Sequence, residues 1–233
     1  MARMTPEQLY NEYRKGFSGC LWEQHVYDDL IATSKYAYFK EGAKKIKDSG
    51  KGKLSIPFRS VLKFDKNAYI ERQTTGDCVS HATRNACDLT RAVEIDVKGD
   101  RESWIARGAT EAIYGARGHT GQGMSCSRAA TFVSQTGGVL VRKNYPGVAD
   151  FSRYNSKIGT NWGGRGVPDK VLDKADDHQI KTTSLIRTVE EARDALANGY
   201  GLSVCSNYGF SNKRSSTGFA RKSGSWAHAM AWI

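Results

Sequence analysis

Residues 73–89 read QTTGDCVSHATRNACDL. A polar turn of Thr, Gly and Asp gives way at Cys78 to apolar positions Val79, Ala82, Ala86, Leu89 and Val93. These recur every three or four residues and predict one face of a long helix running to about Val93. Asp77 is a natural N-cap for it. Two readings of the cysteine at this position compete. Cys is a small hydrophobe that is often buried. A thiol at a helix N-terminus also lies where the backbone dipole favours the thiolate, the nucleophilic form.

The 233 residues can bury a full core, as one domain or as two small lobes. Hydrophobic content of 39% beside 25% charged residues is that of a globular chain and excludes a collagen repeat or a coiled coil. No apolar run reaches the roughly 20 residues of a membrane-spanning helix. The opening MARMTPEQLYNEYRKGF lacks the apolar stretch of a secretory signal. Cysteines 20, 78, 87, 126 and 205 are too scattered for a disulfide scaffold, and no C-x-x-C pair suggests structural zinc or any other metal. A reduced, cytoplasmic setting is expected. The net charge of +11 suits an acidic protein or polyanion partner, yet it is spread over small clusters such as Lys213, Arg214, Arg221 and Lys222. No nucleic-acid-binding motif accompanies it, and a solvated basic surface is the simpler reading.

The spacing of Leu9, Tyr13, Phe17, Val26, Leu30 and Ile31 predicts helix within 5–47, followed by a polar linker at 44–53. Residues 54–64 are expected to be extended, because Pro57 disfavours helix at its neighbour. Residues 1–53 then form an appended arm on a compact unit of 54–233. Further helices are expected at 103–117 and at 127–135, the latter stopped by Gly137 and Gly138. Residues 139–146 look β-like, and a loop follows to about 170. Thr188 and Glu191 form a capping box opening a helix at 188–196 that ends at Gly199. Residues 200–210 and 225–233 alternate as strands around a basic, turn-rich segment. Helices first and strands later predict an α+β fold.

A thiolate nucleophile needs a base, which need not be near in sequence. Of the five histidines, His25 lies in the arm, and His119 and His178 lie in loops. His81, one turn along the helix, would crowd the thiol and is read as structural. His228 stands in the alternating strand W-A-H-A-M-A-W-I between small Ala227 and Ala229, which leave room beside an imidazole.

A Gln-containing turn, G-D-C-V-S-H-A at a helix start and a distant strand histidine followed by A-M-A-W-I together resemble the papain-like cysteine peptidases. His228 lies 150 residues after Cys78, against the ~130–150 of that family. Between them, SWIARGATEAIYGAR resembles the family's second helix, and GQGMSCSRAATFVSQTGGVLVRKNYP its glycine loop, third helix and strand. TVEEARDALANGYGLSVCSNYGF resembles the approach to the first long strand of its right lobe. The resemblance covers roughly 54–233 and implies a two-lobe fold, with a helical lobe at 54–145 and a β lobe at 146–233.

It further implies Cys78 as nucleophile, His228 as its imidazolium partner, and Gln73 with the Cys78 backbone N–H as oxyanion donors. The imidazolium would protonate the leaving amine and water would clear the thioester. Gly76, Asp77, Gly121, Gly123 and Ala227 would line a cleft for a polypeptide substrate, with no cofactor. For Gly121 and Gly123 an ordinary flexible turn is an equal alternative.

The sequence departs from the family pattern. Gln73 stands five residues before Cys78 rather than six, so Arg72 or another donor is an alternative to it, and Val79 replaces the usual aromatic. The Asn that orients the family's histidine has no candidate, since only five residues follow His228. A chain that is part of a longer protein is the expected reason. The left-lobe disulfide is missing, with Thr75 near one usual position and Cys126 without an obvious mate. Cys87 and Cys205 are expected in the core. Residues 1–50 do not match an inhibitory prodomain. Papain-like domains without signal or prodomain occur in bacterial and phage proteins, which adds a virion-associated setting. A catalytically silent binding or assembly domain, and a thiol amidase acting on peptidoglycan, are the alternatives to a peptidase.

Overall fold

The protein is described by a computed structural model over residues 19–178 and 180–233. The expectations for residues 5–18 therefore lie outside the described residues. The fold is mixed α+β. In chain order come β1 (Cys20–Leu21), α1 (Gln24–Thr33), α2 (Phe39–Gly42), α3 (Phe58–Phe64), α4 (Cys78–Asp96) and α5 (Glu111–Gly115). Then follow β2 (Met124–Ser125), α6 (Cys126–Thr131), β3 (Asn144–Tyr145), β4 (Ala149–Asp150), α7 (Ser156–Trp162), α8 (Asp169–Asp176) and α9 (Val189–Ala197). β5 (Leu202–Arg214) and β6 (Ala220–Trp232) close the chain as an antiparallel hairpin.

The axis of the molecule is α4. Its apolar stripe behaves as the spacing predicts: Val79, Ala82, Ala86, Leu89 and Val93 are all buried. One side of α4 receives the hairpin, and the others receive α3, α5 and α6. Leu89, fully buried beside Val61, Ala92 and Val93, contributes about 2 kcal/mol through area removed from water.

Several local expectations are corrected. Residues 58–64 are helical, because Pro57 (φ −67°) occupies the helix start, where a missing N–H costs nothing. Within 103–117 only α5 is helical, and residue 108 instead bridges residue 141. The 139–146 stretch supplies only the two-residue β3, and the following loop contains α7. α8 was not foreseen either, so 146–233 holds three helices beside its hairpin. Residues 127–135 are helical through α6, a π-type turn at Phe132–Thr136 extends it, and Gly137 ends it. The Thr188 hydroxyl accepts from the Glu191 N–H as expected, while the Glu191 carboxylate accepts from Arg187 rather than from Thr188. The hairpin turn is shorter than expected, at 215–219.

Residues 19–53 pack against the rest of the molecule. β1 pairs in parallel with β2, and the Phe39 N–H donates to Leu185 O. The Asp194 carboxylate of α9 accepts from the N–H groups of Asp48 and Gly50 at 2.7 and 2.8 Å, so the segment read as a linker is held by one half-buried and one buried hydrogen bond.

Charge also lies within the fold. Arg142 donates to both Glu71 and Glu111 at 2.7–2.9 Å, while Glu111 also accepts from the Asn155 N–H. Arg84 reaches Glu71 at 3.3 Å and lies 3.9 Å from Asp88, whose two oxygens accept from Gly108 N–H. Breaking such a set from one side leaves a buried charge uncompensated. Glu111→Ala is therefore expected to cost about 3–5 kcal/mol, read as a lowered midpoint in urea unfolding. A shift under about 1 kcal/mol would mean that Arg142 finds solvent instead.

Candidate active site around Cys78

Cys78 is the first residue of α4 and only 1% exposed. Three pieces of chain close over it. From the hairpin, the Ala229 backbone N–H bonds the sulfur, and the Ala229 side chain shares its buried cluster. From the loop ahead of the helix comes Gly76, whose N–H donates to Gln122 Oε1 at 2.5 Å. From the N-terminal segment comes Gly19: a Cβ there would stand 2.7 Å from Cys78 Sγ and 2.7 Å from Gly76 O. The Gly19 carbonyl accepts from Met124 N–H at 2.9 Å, and β1 continues that ladder along β2. An extended stretch of main chain thus crosses the thiol. Burial pushes the Cys78 thiol up to about 12, with the Ala229 N–H opposing and Cys20 and Asp77 adding to the rise. The helix N-terminus is outweighed, and the sulfur is a neutral thiol at pH 7.

His228 sits one residue before Ala229. Along β6 its ring lies with that of Trp226, centroids 5.6 Å apart, while Ala229 turns into the cluster holding Cys78. Burial lowers the His228 pKa to about 4. The structure therefore places the histidine next to the residue that touches the thiol, with both groups neutral.

The other expected residues are accounted for in turn. Gln73 Nε2 donates to Thr75 O at 2.6 Å, within its own turn. Asp77 occupies the N-cap position without a side-chain cap bond. Its Oδ2 instead accepts from Tyr154 OH at 2.7 Å and lies 3.5 Å from His81 Nε2. The His81 ring meets Tyr154 edge-on at 5.2 Å, so this histidine is engaged away from the thiol. Gly123, at φ +89°, makes the turn that brings Met124 alongside Gly19, a conformation glycine adopts freely. Gly121 O accepts from Arg117 Nε, and Ala227 is half-buried on β6.

Two contributors escaped the sequence reading. Gln122 joins the glycine loop to the turn before Cys78, through Gly76 N–H and the Thr75 hydroxyl. Its position between the two glycines, G-Q-G, is the signal that could have found it. Tyr154 lies in an aperiodic stretch that carries no such signal.

The cysteine expectations are also corrected. Cys126 and Cys205 form a disulfide across 79 residues, joining α6 to β5. Spacing could not show this, because α6 and β5 are distant in sequence and are brought into contact only by the tertiary fold. With that pair formed, the cysteines no longer argue for a reducing compartment. Cys20 lies against the pair, with the three sulfurs within 4.8 Å of one another. Among the described residues no helix is long and apolar enough to cross a membrane.

No protein-family model and no curated protein sequence matches the chain. Among solved structures, xylellain, a cysteine protease from Xylella fastidiosa, is similar at 14% identity with a TM-score of 0.48, over 92% of this chain and 72% of that one.

The buried His228 gives a pH dependence with a definite sign. Its folded pKa lies below the unfolded 6.5, so the unfolded chain binds the extra proton first as pH falls. Stability present above pH 6.5 is lost on the way down to about pH 4, by at most roughly 3 kcal/mol. Urea titrations from pH 7 to 4 are expected to show this decline. His228→Gln is expected to flatten it, and an unchanged slope in the variant would assign the decline to other groups.

Proposed function

We propose that the chain is a thiol hydrolase that cleaves peptide bonds at Cys78 and is held latent by its own residues 19–21. The observation that carries this reading is the strand crossing the thiol. An extended main chain already lies at Cys78, hydrogen-bonded to the glycine loop through Met124, as a substrate peptide added to a strand edge would be. The groove is thus built for backbone, and a peptide occupying it in place of the N-terminal segment would present a carbonyl to the sulfur.

Departure of that segment opens Cys78 to water and removes much of the burial that raises its pKa. Water entering the same gap relieves His228, and a movement of β6 that carries its ring from Trp226 to the thiol lets it take the proton. The thiolate attacks the carbonyl carbon, and the Cys78 N–H and a Gln73 released from Thr75 stabilise the oxyanion. The C–N bond breaks as His228 returns the proton to the leaving amine, and water then hydrolyses the thioester.

A second reading, a silent binding or assembly domain, is favoured by two observations: Cys78 is a neutral thiol, and the His228 ring lies against Trp226. Turnover of fluorescein-labelled casein separates the two. Gly19→Ala, in which the added methyl cannot coexist with the sulfur, is expected to hydrolyse casein faster than the wild type. Cys78→Ala in the same background should return the rate to the uncatalysed background. A Gly19→Ala chain that remains folded and hydrolyses nothing would leave the silent domain as the function.

A further inference from the structure

Cys20, Cys126 and Cys205 come from three separately placed elements: β1, α6 and β5. Two are bonded to each other, and the third thiol lies within 4.8 Å of both. Burial raises the Cys20 thiol to about 11, so its thiolate forms slowly, while the Ser206 backbone N–H, next to Cys205, bonds the sulfur and holds it beside the disulfide. A thiol poised beside a disulfide is the arrangement from which exchange proceeds without a further reagent. Cys20 is also the residue after Gly19, whose backbone covers Cys78.

We propose that this cluster is a thiol–disulfide exchange site that latches the N-terminal segment over Cys78. Cys20 gives up its proton to solvent, and its sulfur attacks one sulfur of the Cys126–Cys205 bond. A bond from Cys20 to that sulfur forms, the Cys126–Cys205 bond breaks, and the displaced cysteine leaves as a thiolate and takes a proton. One disulfide and one thiol stand on each side, so no oxidant or reductant is consumed. Before exchange the disulfide joins α6 to the hairpin and β1 is held only by hydrogen bonds and packing. After exchange, attack on either sulfur leaves β1 covalently tied across the thiol. Reduction of the tether by a small thiol such as glutathione would release it.

The latch matters for activity only if residues 19–21 are the cover proposed above, but the exchange itself can be read without reference to Cys78. The full chain is equilibrated under native conditions with EDTA, acid-quenched, capped at its free thiols and digested without reductant for mass spectrometry. Peptides joined through Cys20–Cys126 or Cys20–Cys205 are expected beside the Cys126–Cys205 peptide. Cys20→Ser should lose both mixed species and retain the original pair. As a second route, Cys126→Ser supplied with oxidised glutathione should close Cys20 onto Cys205.

Finding only Cys126–Cys205, with Cys20 always capped, would overturn the proposal. So would mixed pairs that include Cys87, which would report scrambling through unfolding. Retention of one equivalent of zinc by the reduced chain in dialysis, with no mixed disulfide in the oxidised one, would assign the cluster to metal instead. If the mixed disulfides form while casein turnover stays absent in every variant, the exchange stands and the peptidase reading fails.

Discussion

The approach of the Gly19 backbone to the Cys78 thiol is the constraint on which the remainder of the site depends. No side chain fits at residue 19, because its Cβ would lie 2.7 Å from both the sulfur and Gly76 O. That fit requires Gly123 to turn with positive φ so that Met124 can hold the Gly19 carbonyl. It also requires the hairpin to press Ala229 onto the far side of the sulfur. Together these three surfaces exclude water, and exclusion of water sets the chemistry: a thiol at a helix start becomes less acidic than an ordinary one.

Behind the thiol, buried charge holds the approach to α4 in place. Glu71 is bonded to Arg142 and Arg84, and six residues later Asp77 is bonded to Tyr154. The turn carrying Gln73 and Gly76 is therefore anchored at both ends, with Gln122 bonded to its middle. Such networks hold geometry more reliably than they add net stability. Here they fix the backbone N–H of Cys78 relative to the glycine loop, while the N-terminal segment and β6 carry the groups whose movement would open the site.

Much of this was legible in the sequence. The helix starting at Cys78, its buried stripe and the two final strands were written in periodicity, which survives whenever one face is buried. The capping residue Thr188 and the terminating Gly137 were legible for the same local reason. Pro57 starts a helix instead of preventing one, which is a matter of its position in the first turn. Other differences were decided by tertiary partners: Asp77 bonds a tyrosine 77 residues away, and Cys126 pairs with Cys205 across 79 residues. Residues 44–53 look like a linker by composition, but the acceptor that holds them, Asp194, is 144 residues beyond Gly50.

Alkylation of Cys78 by iodoacetamide at pH 7, followed by peptide mass spectrometry in the wild type and in Gly19→Ala, tests the central claim most directly. The account predicts slow labelling in the wild type, because the thiol is covered and its pKa stands near 12. It predicts faster labelling of Cys78 in Gly19→Ala, with Cys87 in the same helix unchanged. Equal rates at Cys78 in the two chains would mean that residues 19–21 do not cover the thiol, and would contradict the account.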